Sequence, residues 1–260
     1  LRVASADAPL LDADLVRLRE MYLDVMRDSL IGRLNQDPPL AASKVDAYYE
    51  NFRDQGWDWP SAAPSMIGAK RMENVRRECE RVIAQGVRGD FMETGVWRGG
   101  ACMMMRAVLK AYGISDRRVI AADSFCGLPP PSPEIAADKD AYLHNVSEFS
   151  VSLAEVKAGF ARYHLLDEQV VFLQGLFKDT LPDAPVQALA VLRLDGDMYE
   201  STHDGLVHLY DKVSAGGSVI LDDYFLFDAF RAAVDEFRDA RGIADEIIRI
   251  DEFGGYWIKS

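Results

Sequence analysis

Twice in the second half of this chain an apolar run stops on carboxylates: Leu189 to Leu194 leads into Asp195-Gly196-Asp197, and Gly217 to Leu221 leads into Asp222-Asp223-Tyr224. Near-continuous apolarity over so short a run marks a parallel strand covered on both faces. From Val87 onward the rest of the chain agrees. Asp90 to Thr94 reads as a strand, Ala101 to Tyr112 as an apolar helix closed by Gly113, Arg118 to Ala122 as a second strand and Val170 to Gln174 as a third. Strands alternating with helices need crossover connections, so the sheet is parallel and the class is α/β. Phe230 to Ala240 is a helix, and Glu246 to Ile250 with Tyr256 to Lys259, joined through Gly254-Gly255, reads as a terminal antiparallel pair.

Upstream the pattern is helical. After Asp12, the residues Leu15, Leu18, Tyr22, Val25 and Met26 recur at helical spacing; Ser43 opens a second candidate helix; Ile67, Met72, Val75, Cys79 and Val82 form a third. The loop Gly56-Trp57-Asp58-Trp59-Pro60 reads equally as a pocket cover or as a packed connector. A longer stretch, Pro129 to Phe149, separates the second and third strands, and loops of that length in compact domains are usually functional or mobile.

Composition narrows the partners. A formal charge of -13 repels phosphate backbones, which excludes nucleic acid as an expected partner. Cys79, Cys102 and Cys126 are odd in number and lack CxxC spacing, so neither a disulfide framework nor a thiolate zinc site is expected, and a reducing cytoplasm is the natural setting. No apolar stretch is long enough to span a bilayer, and the first residues lack the basic-then-apolar pattern of a signal peptide.

Two constellations carry chemistry. The first is Glu93-Thr94-Gly95-Val96-Trp97-Arg98-Gly99-Gly100, set between a strand and a helix, where glycines let the backbone approach a ligand. Alone it is compatible with a simple tight turn. Asp123-Ser124 ends the next strand, where an acid can accept hydrogen bonds from both ribose hydroxyls. The turn departs from GxGxxG, and Glu93 would repel a pyrophosphate, so a cationic sulfonium nucleoside suits it better than a dinucleotide. The second constellation is the set of acids at the two apolar strand ends, which open onto the crevice where such folds bind ligands. Converging acids repel unless a cation joins them, and an all-oxygen donor set favours Mg²⁺, or Ca²⁺ or Mn²⁺, unless some of these acids only cap helices.

These blocks, with Phe177-Lys178-Asp179-Thr180 and Arg193-Leu194-Asp195-Gly196-Asp197, resemble the macrocin O-methyltransferase family over roughly residues 65–257. That family methylates deoxysugar hydroxyls on antibiotic scaffolds. The resemblance implies a Rossmann-like fold dependent on S-adenosyl-L-methionine, with a mostly parallel seven-stranded sheet, an antiparallel C-terminal strand and a helical N-terminal lid over 1–64. It implies cofactor contacts from Glu93, Thr94, Gly95, Trp97, Gly99, Gly100, Asp123 and Ser124, from Gly175, Leu176 and Phe177 near the adenine, and from Met66 in the lid. It implies Mg²⁺ on Asp195, Asp222 and Asp223, Asp197 as the base, and a homodimer through N-terminal arms. Apart from the resemblance, His144 in the long loop reads as a rival base or a substrate contact, although a lone loop histidine is more often neither. The acceptor it implies is a glycosylated antibiotic of aminocoumarin or macrolide type, with the noviose 4-hydroxyl foremost.

Two other classes predict different features. An NAD-dependent oxidoreductase calls for GxGxxG with a catalytic Tyr-Lys or His arrangement, and neither occurs. A non-catalytic nucleoside-binding module would leave the acids capping helices with no metal. Met103, Met104 and Met105 read as helix core, and His164, His203 and His208 lack metal spacing with one another.

Overall fold

Residues 12–260 are described by a computed structural model whose centre is a seven-stranded sheet. In chain order the elements are α1 (Asp12–Leu30), α2 (Glu50–Gln55), α3 (Gly68–Ala84), β1 (Asp90–Thr94), α4 (Gly100–Ala111), β2 (Val119–Asp123), α5 (Leu153–Arg162), β3 (Val170–Gln174), α6 (Phe177–Thr180), β4 (Leu189–Leu194), α7 (Tyr199–Leu209), β5 (Val213–Leu221), α8 (Asp228–Arg241), β6 (Ile248–Arg249) and β7 (Gly255–Ile258). The strands lie in the order β3-β2-β1-β4-β5-β7-β6. The first five are parallel, and β7 runs antiparallel to β5 and to β6.

The pleat explains why β4 had to be apolar at almost every position. Successive side chains point to opposite faces, and helices cover both. Phe91, Val119, Ala121 and Val191 pack on the side of α1, α3, α4 and α5; Met92, Ile120, Ala122 and Leu192 pack on the side of α7 and α8. Met103, Met104 and Met105 are fully buried in α4. Among the described residues no helix is long and apolar enough to cross a membrane. The signal-peptide reading falls on residues outside those described.

Two helical expectations change. Helix α1 forms, but Leu15, Leu18 and Val25 remain about half exposed, and the buried stripe is Leu23, Met26 and Leu30. Periodicity reveals that a stripe exists, whereas the neighbours α3 and α4 decide which stripe is inward. No helix opens at Ser43. Its hydroxyl accepts the Val45 amide at 3.3 Å, a local turn that competes with helix, and α2 starts at Glu50.

The two loops flagged in the sequence are both anchored. Behind the tryptophan loop, Arg53 and Asp58 form a fully buried ion pair, and Arg53 also donates to the carbonyls of Ile31 (2.8 Å) and Asp37 (2.6 Å). Arg98 donates to the carbonyls of Pro60 and Ala63 at 3.0 and 3.1 Å, tying that loop to the turn after β1. In the long loop, buried Asp138 accepts the amides of Tyr199 (2.6 Å) and Glu200 (3.0 Å) and so caps α7 from a distance. Asp138→Ala is expected to cost about 0.5–2 kcal/mol, the usual loss of an N-terminal cap, and to speed amide exchange across 129–149. Unchanged exchange there would show that the cap does not hold the loop.

Candidate active site

Strand order reverses between β1 and β4, and the carboxyl ends of the strands open onto a cavity of about 960 Å³. This is the position at which open α/β sheets bind ligands. Its lining includes Glu93, Gly95, Val96, Trp97 and Gly100 after β1, Asp123 and Ser124 after β2, and Gly175, Leu176 and Phe177 after β3. Asp195, Gly196 and Asp197 follow β4, Asp222 and Asp223 follow β5, and Met66 and Trp57 enter from the N-terminal segment.

The turn after β1 is narrow for steric reasons. Gly95 has a φ of +82°, and a Cβ there would collide with the Asp195 carbonyl oxygen. Asp123 stitches this turn to its own loop: Oδ2 accepts the Val96 amide at 2.8 Å and Oδ1 the Phe125 amide at 2.7 Å. Burial raises its pKa while those donors oppose the rise. Trp97, Phe125 and Asp197 all carry positive φ (45°, 54° and 61°). Such backbone in non-glycine residues costs energy, and it gathers at functional sites.

Three residues expected to touch cofactor or substrate do not reach the lining. Thr94 is buried within β1. Gly99 takes a φ of +87° at the start of α4 with Phe160 and Val156 behind it, so the turn itself requires the glycine. His144 lies on the single turn Leu143–Asn145, from which Tyr142 and Leu143 line the cavity and His144 does not.

The floor is a charge network. Glu93 and Arg193 are register partners on β1 and β4, both buried, and their side chains form an ion pair. Arg193 also donates to Asp195 at 2.7 Å and pairs with one oxygen of Asp222, whose other oxygen pairs with Arg71 from α3. Arg71 reaches Asp251 as well, at 3.1 Å. Beyond this network, one carboxylate oxygen each from Asp195, Asp197 and Asp223 lie within 4.8 Å of one another, and Asp223 Oδ2 is buried with no hydrogen-bond partner. The grouping differs from the expected Asp195, Asp222 and Asp223. Asp222 and Asp223 are consecutive at a strand end, so they point to opposite sides: Asp222 faces the arginines and Asp223 joins Asp195 and Asp197.

The acids outnumber their counter-charges, and their protonation shows it. Burial, then repulsion from Asp222, lifts Asp195 to about 7. Burial and the neighbouring acids push Asp197 and Asp223 well above the usual carboxylate range. A carboxyl whose pKa rises on folding binds more protons folded than unfolded, so stability falls as pH rises from about 4 through about 7. The expected result is a metal-free melting temperature lower at pH 8 than at pH 6, with Mg²⁺ raising it more at pH 8. A melting temperature that rises over this interval would mean that the acids are not crowded in solution.

Arg71, Arg193, Lys178, Ser201 and Asp204 also line the cavity and were not anticipated. Arg193 had a usable signal: a lone cation in an otherwise apolar, doubly covered strand needs buried acids around it. Arg71 had none, because α3 carries many arginines.

The comparisons with known proteins bear on this geometry. The family model described as Macrocin-O-methyltransferase (TylF) matches residues 13–259. The chain belongs to the macrocin O-methyltransferase family. It is 50% identical to demethyldecarbamoylnovobiocin O-methyltransferase of Streptomyces niveus, over 92% of this chain and 94% of that protein. It is 46% identical to mycinamicin III 3''-O-methyltransferase of Micromonospora griseorubida, over 93% of this chain and 97% of that protein. The structure of the O-methyltransferase NovP superposes with a TM-score of 0.91 at 50% identity, covering 93% of this chain and 99% of that one. The fold is therefore the Rossmann-like methyltransferase fold, and the chain is an S-adenosylmethionine-dependent O-methyltransferase. The oxidoreductase and non-catalytic readings give way to it.

Proposed function

We propose that this enzyme transfers a methyl group from S-adenosyl-L-methionine to a deoxysugar hydroxyl of a glycosylated antibiotic, with the noviose 4-hydroxyl of an aminocoumarin as the foremost acceptor and a divalent cation held by its acids. The observation that carries the proposal is the convergence of Asp195, Asp197 and Asp223, one oxygen left without a partner, beside a glycine-lined turn closed by Asp123. The names of the relatives, a novobiocin precursor and a mycinamicin, support the acceptor class.

The donor set fits a hard dication: oxygen ligands only, crowded, and short of positive charge. Asp195 and Asp223 would hold Mg²⁺ beside Asp197, while Asp222 is turned to Arg71 and Arg193. A dication bound there supplies positive charge that eases ionisation of a nearby sugar hydroxyl. S-adenosylmethionine supplies the electrophilic methyl.

This chain's residues do the remaining work. Gly95 and Gly100 let the turn after β1 pack directly against the Asp195 carbonyl and the segment of Pro64 and Ser65, Asp123 would accept from the ribose hydroxyls, and Leu176 and Phe177 would wall the adenine. The reaction is an in-line displacement in which an O–C bond forms as the S–C bond breaks, so alignment dominates; fixed orientation supplies at most about 7–11 kcal/mol. A sugar hydroxyl is too weak an acid to ionise beforehand onto an ordinary aspartate. Asp197, whose carboxylate converges on the same point as those of Asp195 and Asp223, takes the proton as attack proceeds.

The test is methyl gain by mass on a panel of glycosides, with calorimetry for S-adenosylhomocysteine and Mg²⁺. EDTA is expected to stop turnover and Mg²⁺ to restore it. Turnover indifferent to EDTA would remove the metal from the proposal, and no methyl gain on any sugar would remove the acceptor class.

A further inference from the structure

The converging acids are not all held in the same way. Asp223 Oδ2 is buried without a hydrogen-bond partner, so no neighbour of that oxygen sets its direction, and the aim of the side chain depends on the backbone that carries it. That backbone is anchored on both sides. Before it, Asp222 pairs with Arg71 and Arg193. After it, the Phe225 amide donates to the Phe253 carbonyl at 2.8 Å.

Both anchors lead to one residue that does not line the cavity. Asp251 lies in the turn between β6 and β7, with its side chain 1% exposed. Its Oδ2 accepts Arg71 Nε at 3.1 Å, and its Oδ1 accepts the amides of Phe253 and Gly254, both at 2.8 Å. One route runs through side chains, from Asp251 by Arg71 to Asp222; the other runs through backbone, from Asp251 by Phe253 to Phe225. Together they enclose Asp223. There is little slack: a Cβ on Gly254 would lie 3.0 Å from Arg71 Cδ and 3.2 Å from the carbonyl oxygens of Leu221 and Asp222, so the turn packs directly on the end of β5. On the other side of the guanidinium, a Cβ on Gly56 would lie 2.6 Å from Arg71 Nη2. Burying such an ion pair gains little net stability over apolar side chains; what it fixes here is direction.

Resting on the divalent-cation reading, we infer that Arg71 and Asp251 are positioning residues for the cation: they fix the backbone of residues 222–225 so that the Asp223 carboxylate faces Asp195 and Asp197. The β6–β7 turn is thereby part of the cation site, although Asp251 stands behind the cavity wall. Groups that orient metal ligands are typically worth about 10–100-fold in metal affinity.

Mn²⁺ serves as the probe, since carboxylate sites that suit Mg²⁺ also take it. It is titrated into the full chain with S-adenosylhomocysteine present, and the free ion is read by electron paramagnetic resonance. Arg71→Lys keeps the charge but loses the fork that reaches two acids. Asp251→Asn keeps an oxygen for the two amides but loses the charge that holds Arg71. Each is expected to weaken Mn²⁺ binding by about 10–100-fold, while S-adenosylhomocysteine affinity, measured by calorimetry, holds. The double variant is expected to bind no worse than the weaker single one, because both substitutions break the same link. Either single variant binding Mn²⁺ as tightly as the native chain overturns the inference, as does an additive loss in the double variant. Tighter binding by Arg71→Lys overturns it too, since the arginine would then compete with the cation for Asp222. Variants that lose Mn²⁺ and S-adenosylhomocysteine together would show that the pair supports the fold at large, and the inference would fall. Failure of the cation reading itself looks different: the native chain would leave all the Mn²⁺ free.

Discussion

Asp197→Asn is expected to lower kcat by about 10² to 10⁴, the usual contribution of a general base, while S-adenosylhomocysteine affinity holds. The substitution is clean for a structural reason. Asp197 sits at a φ of +61°, a backbone that asparagine accepts as readily as aspartate. The preceding Gly196 is untouched, and a Cβ there would strike Ser201. Because Asp197 also belongs to the converging acids, Mg²⁺ affinity of the variant is measured alongside, and lost turnover with unchanged Mg²⁺ affinity assigns the loss to the proton acceptor. Near-native turnover of the Asn variant would move the base elsewhere.

The second large effect is on stability. Arg193→Met is expected to destabilise the fold by about 3–5 kcal/mol, because it leaves buried carboxylates without their counter-charge. In a domain of this size that lowers the melting temperature by roughly 6–20 °C. Glu93, Asp195 and Asp222 all lean on this one guanidinium, and two of them, Glu93 and Asp222, are almost wholly buried. Arg193→Lys should fall between, since an ammonium keeps the charge but not the fork that reaches three acids. A Met variant as stable as the native chain would mean that the acids protonate at little cost, and the network would then have no structural weight.

Both predictions rest on a site that was only partly readable beforehand. The glycine turn after β1, Asp123 after β2 and the acids after β4 and β5 were legible because each is local: a strand's apolar run ends, and the residues that follow must lie at its carboxyl end. The pairing of Glu93 with Arg193 was not legible, because it depends on β1 and β4 being neighbours although about a hundred residues separate them. The same holds for Arg71, brought to Asp222 by the docking of α3. His144 shows the limit from the other side. Its place in the long loop left it a candidate, and only the path of that loop, pinned by Asp138 to α7, puts Tyr142 and Leu143 at the cavity in its stead.

Amino-acid order alone determined the fold class, the strand boundaries to within a few residues, and the presence of acids at the crevice, because period, turn chemistry and apolar runs are short-range properties of the backbone. The tertiary structure decided which face of α1 turned inward, which aspartates converge and which is held by arginines. Those choices depend on the facing of side chains across elements far apart in sequence, and a one-residue step along a strand reverses that facing.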